Sequence, residues 1–468
     1  MLEKTLGPAA TLAPRPGLKR GALNLLEVVA QSVANIAPSA TPALIVPLVF
    51  ATARNGTWLA YLLATLVVLA VTVQINSFAA RSASPGALYT FTAQGLGPTW
   101  GSISGWALFL AYIFTASATL CGFANYFVVL LQSYGPMRPH AWLVPAGMVA
   151  EVAACWWIAW RDIAFSTRAM LLLEFGSAGL ISGLAGLFFA RTPHGLDMAQ
   201  LRLAGSGAHG LRLAMVLAMF SFVGFESATS LGEEARDPLH SIPKAVLISV
   251  ILVGAFFIFI AYTLVAAYRT TSTSLAEANA PLVDMAKAAG VPRAAMLLVA
   301  AVLVGQFACT LASVNAAARV MYSMAQHNFF HVSTGKAHEL HATPHVAVTV
   351  CSLTALVGPL ALVQLWRQHV MDVFGYLGSL ATFGFLISYV LVSLAVPLFL
   401  RRRRELTNRN LAMAAVSLVL LLLPVVGSLY PVPDPPYNRL PYFFLMLMGL
   451  GVGRILYLRS KGRQVVVE

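Results

Sequence analysis

Two short segments of this sequence place helix-breaking residues inside long apolar runs. The first, Ala-Pro-Ser-Ala-Thr-Pro at 37–42, holds two prolines, which lack a backbone N–H and clash with the preceding helical turn. The second, Phe-Val-Gly-Phe-Glu at 222–226, joins a helix-weakening glycine to a carboxylate, which costs about 2.5 to 3.5 kcal/mol inside a bilayer. Freed N–H groups at such breaks can hold a carboxylate, and freed carbonyls can hold an ammonium or a metal cation. The predicted ligand-binding residues are therefore Ala37, Pro38, Ser39, Ala40, Thr41, Phe222, Val223, Gly224, Phe225 and Glu226.

Glutamates inside the apolar runs are candidates for gating or for carrying a coupling proton. Glu226 is expected to gate the cytoplasmic exit, to contact a cationic group, or to cap the helix that follows the second break. Glu174 either reaches the bilayer surface and pairs with Arg168, or faces the interior and carries a proton. We expect a structural role for Glu151, and an ion pair with a nearby cation for Glu27.

A second group of polar residues lies later in the chain. Ser313 and Asn315 offer oxygen ligands that suit sodium, although hydrogen bonds between helices are the preferred interpretation. A charge cluster comprises Glu233, Glu234, Arg236 and Asp237. This cluster is either a solvated face or a gate that closes through ion pairs with Arg81, Lys19 or Arg20.

The composition places these residues in a membrane protein. Of 468 residues, 59% are hydrophobic and 10% are charged, and the mean hydropathy is +0.78. Soluble domains carry about 25% charged residues. The short alternating segments of a membrane β-barrel are absent, so we predict an all-α polytopic protein. The net charge of +13 arises from cations at the ends of apolar runs, which indicates orientation in the lipid bilayer and no nucleic-acid partner.

Twelve apolar stretches are long enough to cross a bilayer. They lie at 24–51, 57–78, 98–131, 142–160, 166–190, 211–236, 242–267, 294–327, 343–365, 371–400, 410–431 and 438–459. Most of the 30 lysines and arginines fall on the side of the N-terminus, including Arg-Arg-Arg-Arg at 401–404. The positive-inside rule then predicts a multi-pass protein of the plasma (inner) membrane with both termini cytoplasmic. Between two spans, 268–293 predicts a short extracellular helix that acts as a lid.

The two breaks fall in the first and the sixth span. If five spans and the next five form inverted halves, the breaks meet, and such pairs of broken helices mark transporter binding sites. The alternative is a simple kink in each helix. The predicted organisation is an N-terminal tail at 1–23, a first repeat at 24–190, a second repeat at 211–400, peripheral helices at 410–459 and a tail at 460–468.

Four segments carry a resemblance to a known family. They are SFVGFESATSLGEEARDPLHSIPKA at 221–245, LASVNAAARVMYSMA at 311–325, SPGALYTFTAQGLGPTWGSISGW at 84–106 and TRAMLLLE at 167–174. Over about residues 20 to 400 the chain resembles the amino acid–polyamine–organocation superfamily, as an amino acid permease-like member. The resemblance implies a five-plus-five inverted repeat (the LeuT-like fold) with discontinuous helices 1 and 6 and alternating access.

The resemblance also implies how a substrate is held. Its α-carboxylate would bind backbone near Pro38, Ser39 and Ala40. Its amino group would bind carbonyls near Phe222, Val223 and Gly224. Members of the family usually place glycines at the first break, where this chain has prolines. Proton-coupled members often carry a lysine in helix 5, but 163–190 contains none, so coupling through a lysine is not expected.

These observations predict a secondary active transporter of a small amino acid or related amine. A polyamine or organic-cation exchanger of the same fold is the alternative, and a channel or non-transporting sensor is less favoured. No phosphate-binding loop, HExxH motif or nucleophile elbow occurs, so the chain is not expected to be an enzyme. We expect no cofactor and no metal site. The expected coupling ion is H+ or Na+. The protein is either a monomer or a homo-oligomer.

Overall fold

The computed structural model of the chain describes residues 17–134, 142–191, 196–278, 280–430 and 435–461. Within these ranges the regular structure is helical, and the β-type pairing is limited to a bridge between Leu23 and Ala235. The all-helical architecture agrees with the fold class predicted from composition. The predictions for 1–16 and 462–468, within the two predicted tails, concern residues outside the described ranges.

The first eight helices contain the first break. They are α1 (Leu25–Ile36), α2 (Thr41–Leu44), α3 (Val46–Ala53), α4 (Thr57–Ala79), α5 (Leu88–Leu96), α6 (Pro98–Tyr134), α7 (Leu143–Arg161) and α8 (Ile163–Arg191). The later helices contain the second break. They are α9 (Met198–Leu201), α10 (Ala208–Phe220), α11 (Pro238–Ala267), α12 (Pro281–Ala288), α13 (Ala295–Gln326), α14 (His345–Gln364), α15 (Val370–Arg402), α16 (Asn408–Gly427) and α17 (Leu440–Ser460).

Ten helical stretches of the described residues are long and apolar enough to cross a membrane. One of them runs through α3 and α4 as Val46–Ala79, and the others correspond to α6, α7, α8, α11, α13, α14, α15, α16 and α17. The predicted spans 24–51 and 211–236 do not appear as continuous helices, because the chain leaves helical geometry inside each of them. The protein is therefore an integral, multi-pass membrane protein, and the count of twelve spans stays a prediction.

The centre of the molecule is formed by α6, which packs against α13 and α15 along most of its length. The first helix, α1, lies in a groove between α8, α11 and α13. By contrast, α16 and α17 expose large apolar side chains such as Leu422 and Leu445, as expected for helices that contact lipid. This arrangement surrounds α1 and the end of α10 with helices and shields them from lipid.

Besides the four-residue α9, two short helices lie outside the predicted spans. The first, α5, follows directly on the loop after α4 and was not predicted. The second, α12, falls within 268–293, where a short helix was predicted, and the Tyr268 hydroxyl donates to its Asp284. Whether α12 acts as a lid stays a prediction.

Candidate functional site

The first break begins where α1 ends. Ala37 adopts left-handed backbone angles (φ 54°, ψ 60°), a conformation that is costly for a residue with a Cβ. Its N–H closes the last turn of α1, and three residues in turn conformation follow before α2 begins at Thr41. Because Pro38 has no N–H and Pro42 is confined to the first turn of a helix, the sequence itself ends one helix here and starts another.

The second break begins where α10 ends at Phe220. Residues 221–226 form turns, and Gly224 takes a positive φ of 88°. A Cβ at position 224 would lie 2.5 Å from the Asn35 side-chain nitrogen, so only glycine fits. A 3-10 segment, Ser227–Leu231, follows, and the Glu226 side chain makes no capping hydrogen bond to it. The prediction that Glu226 caps the following helix is therefore wrong, because its carboxylate turns into the bundle.

Hydrogen bonds join α1, the helix before the first break, to the second break and to the 3-10 segment that follows it. Asn35 donates to the Gly224 carbonyl at 3.5 Å, at the long limit of a hydrogen bond. The Ser227 hydroxyl donates to the carbonyl of Gln31 at 3.1 Å, and the N–H of Ala228 donates to the Ser32 hydroxyl at 3.1 Å. The helix that leads into the first break and the segment that contains the second break, which are far apart in the sequence, thus form one buried unit.

A cavity lies between the breaks and is closed by α6, α13 and α15. Its internal volume is about 50 Å³, below the range of small-molecule sites, so the two breaks and these helices pack closely around it. Four of the ten predicted binding residues line it, namely Ala37, Ala40, Thr41 and Val223. Within the described ranges no acidic, basic or histidine side chain lines this cavity, whose wall is mostly apolar.

The other six predicted residues lie behind the cavity wall. Phe222 and Phe225 line a second, smaller apolar cavity with Tyr389 of α15. Pro38, Ser39, Gly224 and Glu226 line neither cavity. The position of the site was therefore predicted better than the side chains that form its surface.

Glu174 of α8 contacts the first break. Its carboxylate accepts the Ser39 hydroxyl at 2.6 Å and the Ser39 N–H at 3.4 Å, and both residues are buried. The contact needs Gly305 of α13, because a Cβ there would lie 1.7 Å from the Ser39 hydroxyl oxygen. The predicted pairing of Glu174 with Arg168 is wrong: Arg168 pairs with Glu27 at 2.7 Å, as predicted for Glu27.

Glu226 is held by two tyrosines. Its carboxylate accepts the Tyr112 hydroxyl at 2.7 Å and the Tyr389 hydroxyl, from α6 and α15 respectively. No cation contacts this carboxylate among the residues that the structure describes. Both Glu174 and Glu226 are therefore buried acids whose partners are hydroxyl and N–H groups.

The predicted sodium ligands on α13 take part in hydrogen bonds between helices. The Ser313 hydroxyl donates to the Asn35 side-chain oxygen at 2.6 Å, and Asn315 donates to the Ser166 hydroxyl at 2.7 Å. These contacts match the preferred interpretation of Ser313 and Asn315. The bond from Ser313 also fixes the orientation of Asn35, which donates to the Gly224 carbonyl in the second break.

The charge cluster forms a buried ion pair that was not predicted. Arg319 of α13 donates two hydrogen bonds, at 2.6 and 2.8 Å, to the carboxylate of Glu234, and both side chains are buried. Arg319 also donates to the carbonyl of Asn315 at 2.9 Å. The residues that were expected to close a gate have other partners, since Arg81 pairs with Glu405.

The remaining charges of the cluster agree with expectation only for Arg20. Lys19 pairs with Asp162 at 2.6 Å, and Asp237 contacts His240 at 3.0 Å. Arg20 attracts the carboxylate of Glu233 electrostatically. The predicted pairs with Arg81 and Lys19 are therefore wrong. Sequence reasoning overlooked the significance of Arg319. An arginine inside an apolar run needs a buried acid as its partner.

The fold defines an integral membrane protein with a small cavity beside two interrupted helices. The family model described as amino acid permease matches residues 27–430. The chain therefore belongs to the amino acid permease family, within the amino acid–polyamine–organocation superfamily, and is a transporter and not an enzyme.

The chain is similar to several characterised relatives. It is 26% identical to the branched-chain amino acid permease BcaP of Bacillus subtilis, over 76% of each chain. It is 25% identical to the low-affinity putrescine importer PlaP of Escherichia coli, over 79% of this chain and 78% of that one. Identity to the cationic amino acid transporter 4 of Mus musculus is 22%, over 71% of this chain and 53% of that one.

Proposed function

We propose that this chain is a secondary active transporter that moves a small amino acid or a related amine by alternating access. The substrate is held between the unwound parts of the first and sixth spans. The observation that carries the proposal is the convergence of both breaks on one enclosed cavity. Interrupted helices that meet near the middle of a bilayer are where many transporters bind their substrates.

The proposal includes the predicted membrane arrangement. Twelve spans in two inverted halves, with both termini cytoplasmic in the plasma membrane, would place the cavity near the midplane. The excess of lysine and arginine on the side of the N-terminus supports this orientation. A protein with this arrangement can expose the cavity to one side at a time by moving one half against the other.

The amino group of the substrate binds carbonyl oxygens at the second break. Val223 lines the cavity there, and its carbonyl belongs to a segment without helical hydrogen bonding. The carboxylate binds at the first break, near Ser39. The N–H of Ala40 is bonded to the Ala37 carbonyl, and both Ser39 donors are bonded to Glu174 behind the cavity wall, so the first break has to move before Ser39 can bind the substrate carboxylate.

Glu174 determines whether the hydroxyl and the N–H of Ser39 are available to the substrate, and it carries a coupling proton. An ionised Glu174 accepts both the hydroxyl and the N–H of Ser39, so it competes with a substrate carboxylate for the same two hydrogens. Protonation removes the charge that attracts them and frees Ser39 for the substrate. A proton and a substrate carboxylate then bind cooperatively, which is the thermodynamic requirement for symport. H+ is therefore the coupling ion favoured over Na+.

A polyamine or organic-cation exchanger is the second candidate, supported by the similarity to a putrescine importer. A diamine carries two ammonium groups, and the second would need a counter-charge inside the cavity. In the part of the chain that the structure describes, no carboxylate lines the cavity. An unpaired ammonium in a dry site is costly, so an amino acid is the favoured substrate.

Uptake in proteoliposomes tests the proposal. Purified wild-type protein and the variants Glu174→Gln and Glu27→Gln are assayed against a panel of L-amino acids and putrescine, with an inward proton gradient and with or without sodium. We expect wild-type accumulation that needs the proton gradient and not sodium. Glu174→Gln should keep exchange but lose accumulation.

Glu27 provides the matched control, because it is a buried acid that has a cationic partner. The Glu27→Gln variant should keep its dependence on the proton gradient even if its rate falls. Accumulation by Glu174→Gln at the wild-type level, or accumulation that requires sodium, would contradict the coupling mechanism. Absence of uptake for every compound in the panel would contradict the transport proposal.

A further inference from the structure

One wall of the cavity, where α6 meets α13, carries three polar side chains, Thr115, Thr119 and Gln306, and the Thr115 hydroxyl donates to the carbonyl of Ala111 within α6. Gln306 is 1% exposed, and its side-chain nitrogen has no hydrogen-bond partner within the described residues. A Cβ at Gly122 would lie 1.9 Å from that nitrogen, so a glycine of α6 makes room for the amide. A buried donor without an acceptor costs stability, and its retention on a cavity wall points to a ligand.

Thr119 is the second member of this wall. Its hydroxyl lies 2.7 Å from the Thr310 hydroxyl, which in turn donates to the buried carboxyl of Glu151 at 2.7 Å. The Thr119 hydroxyl also lies 3.0 Å from the carbonyl of Thr115, one turn earlier in α6. Gln306 and Thr310 are four residues apart in α13 and so share one face, which places the amide beside this chain of hydroxyls.

The direction of these hydrogen bonds determines what Thr119 offers to the cavity. If Glu151 is ionised it only accepts, so Thr310 donates to it and Thr119 donates to Thr310. If Glu151 is protonated and donates to Thr310, then Thr310 donates to Thr119, whose hydrogen goes to the Thr115 carbonyl. A hydroxyl has one hydrogen. In both cases the hydrogen of Thr119 stays inside the wall, and its oxygen can only accept from the cavity.

The wall therefore presents an acceptor, the Thr119 oxygen, next to a donor, the Gln306 amide nitrogen. We propose that Thr119 and Gln306 form a specificity subsite for a neutral end group that both donates and accepts a hydrogen bond, a hydroxyl or a carboxamide of an amino acid substrate. This inference rests on the proposed function, and it names the substrate class of the same cavity.

Other end groups fit this pair poorly. An alkyl group would leave the Gln306 donor unpaired, as would an ammonium group, which has hydrogens but no lone pair. Sites built to hydrogen-bond a substrate group discriminate strongly against analogues that lack it. The subsite is therefore selective against both branched aliphatic amino acids and diamines.

L-Threonine and L-valine are a suitable pair of probes, because a hydroxyl in one replaces a methyl in the other. Binding of each is measured on the purified full-length protein by thermal shift and by titration calorimetry, together with putrescine. For the wild type we expect threonine to bind roughly tenfold or more tightly than valine. Thr119→Val and Gln306→Met should each bring this ratio close to one, whereas Thr119→Ser should keep it.

Thr72→Val is the matched control. Thr72 is buried in α4, its hydroxyl donates to the carbonyl of Val68, and it does not line the cavity. This variant should keep the wild-type ratio. The inference is overturned if the wild type binds valine or putrescine as tightly as threonine, or if neither Thr119→Val nor Gln306→Met changes the ratio. If none of the three compounds binds, this inference is overturned, whereas the proposed function fails only if no compound of the amino-acid panel is transported.

Discussion

Gly305→Ala tests whether the contact between Ser39 and Glu174 holds the first break in place. The added Cβ would lie 1.7 Å from the Ser39 hydroxyl oxygen, 3.0 Å from its Cβ and 3.1 Å from a Glu174 carboxylate oxygen. Ordinary contacts begin at 3.4 Å, so Ser39 has to leave its present position. The 2.6 Å hydrogen bond between its hydroxyl and Glu174 cannot survive that movement.

The magnitude follows from three contributions. Losing a hydrogen bond to an ionised group costs about 1.5 to 3 kcal/mol. Overpacking a tight interior costs about 1 to 3 kcal/mol. Alanine gains about 1 kcal/mol over glycine in a helix, which offsets part of this loss. We expect Gly305→Ala to destabilise the protein by roughly 2 to 5 kcal/mol and to abolish proton-driven uptake, because the break is displaced.

Gly179→Ala provides the matched control. Gly179 lies in α8 and has no atom within 4 Å of an added Cβ, so the same substitution there gains helix propensity without a clash. Thermal unfolding in detergent and uptake in proteoliposomes are measured for both variants. A Gly305→Ala protein that melts and transports like Gly179→Ala would refute the assignment of Ser39 and Glu174 as a single functional contact.

Two further predictions concern ion pairs of different burial. Arg319→Met leaves Glu234 buried without a partner and should destabilise the protein by about 3 to 5 kcal/mol, whereas Arg319→Met with Glu234→Met should recover much of this loss in thermal unfolding. A single variant as stable as the wild type would contradict this. Arg81→Ala removes an exposed pair with Glu405 and should not change the melting temperature measurably. The Arg81 and Arg403 guanidinium groups hold the pKa of Glu405 below its ordinary value, so any contribution is present at neutral pH and is lost as the pH falls through that lowered pKa. A large loss of stability in Arg81→Ala at pH 7 would contradict this prediction.

The breaks could be predicted because their causes are local. Pro38 and Gly224 act on their own backbone, so their effect can be read without knowing the neighbours. The same reasoning predicted the membrane class and the positions of most helices. Local signals did not show that 3-10 turns follow Glu226, which is why its predicted capping role was wrong.

The partners of the buried acids could not be predicted, because they lie far away in the sequence. Glu174 and Ser39 are separated by 135 residues, and Arg319 and Glu234 by 85. In a soluble protein the apolar face of a helix shows which side is buried. In a bilayer the outer face is apolar as well, so the pattern of α8 does not reveal that Glu174 faces inward.

The backbone pairing near the N-terminus has a consequence for biosynthesis. The N–H of Leu23 donates to the Glu234 carbonyl, and the N–H of Arg236 donates to the Leu23 carbonyl. These bonds, like those from α1 to the second break, cannot form until about half of the chain has left the ribosome. The first span has only twelve residues of helix before its break, and its free backbone groups need partners that do not yet exist. We therefore expect this span to enter the bilayer late or to be held by the insertion machinery until its later partners arrive.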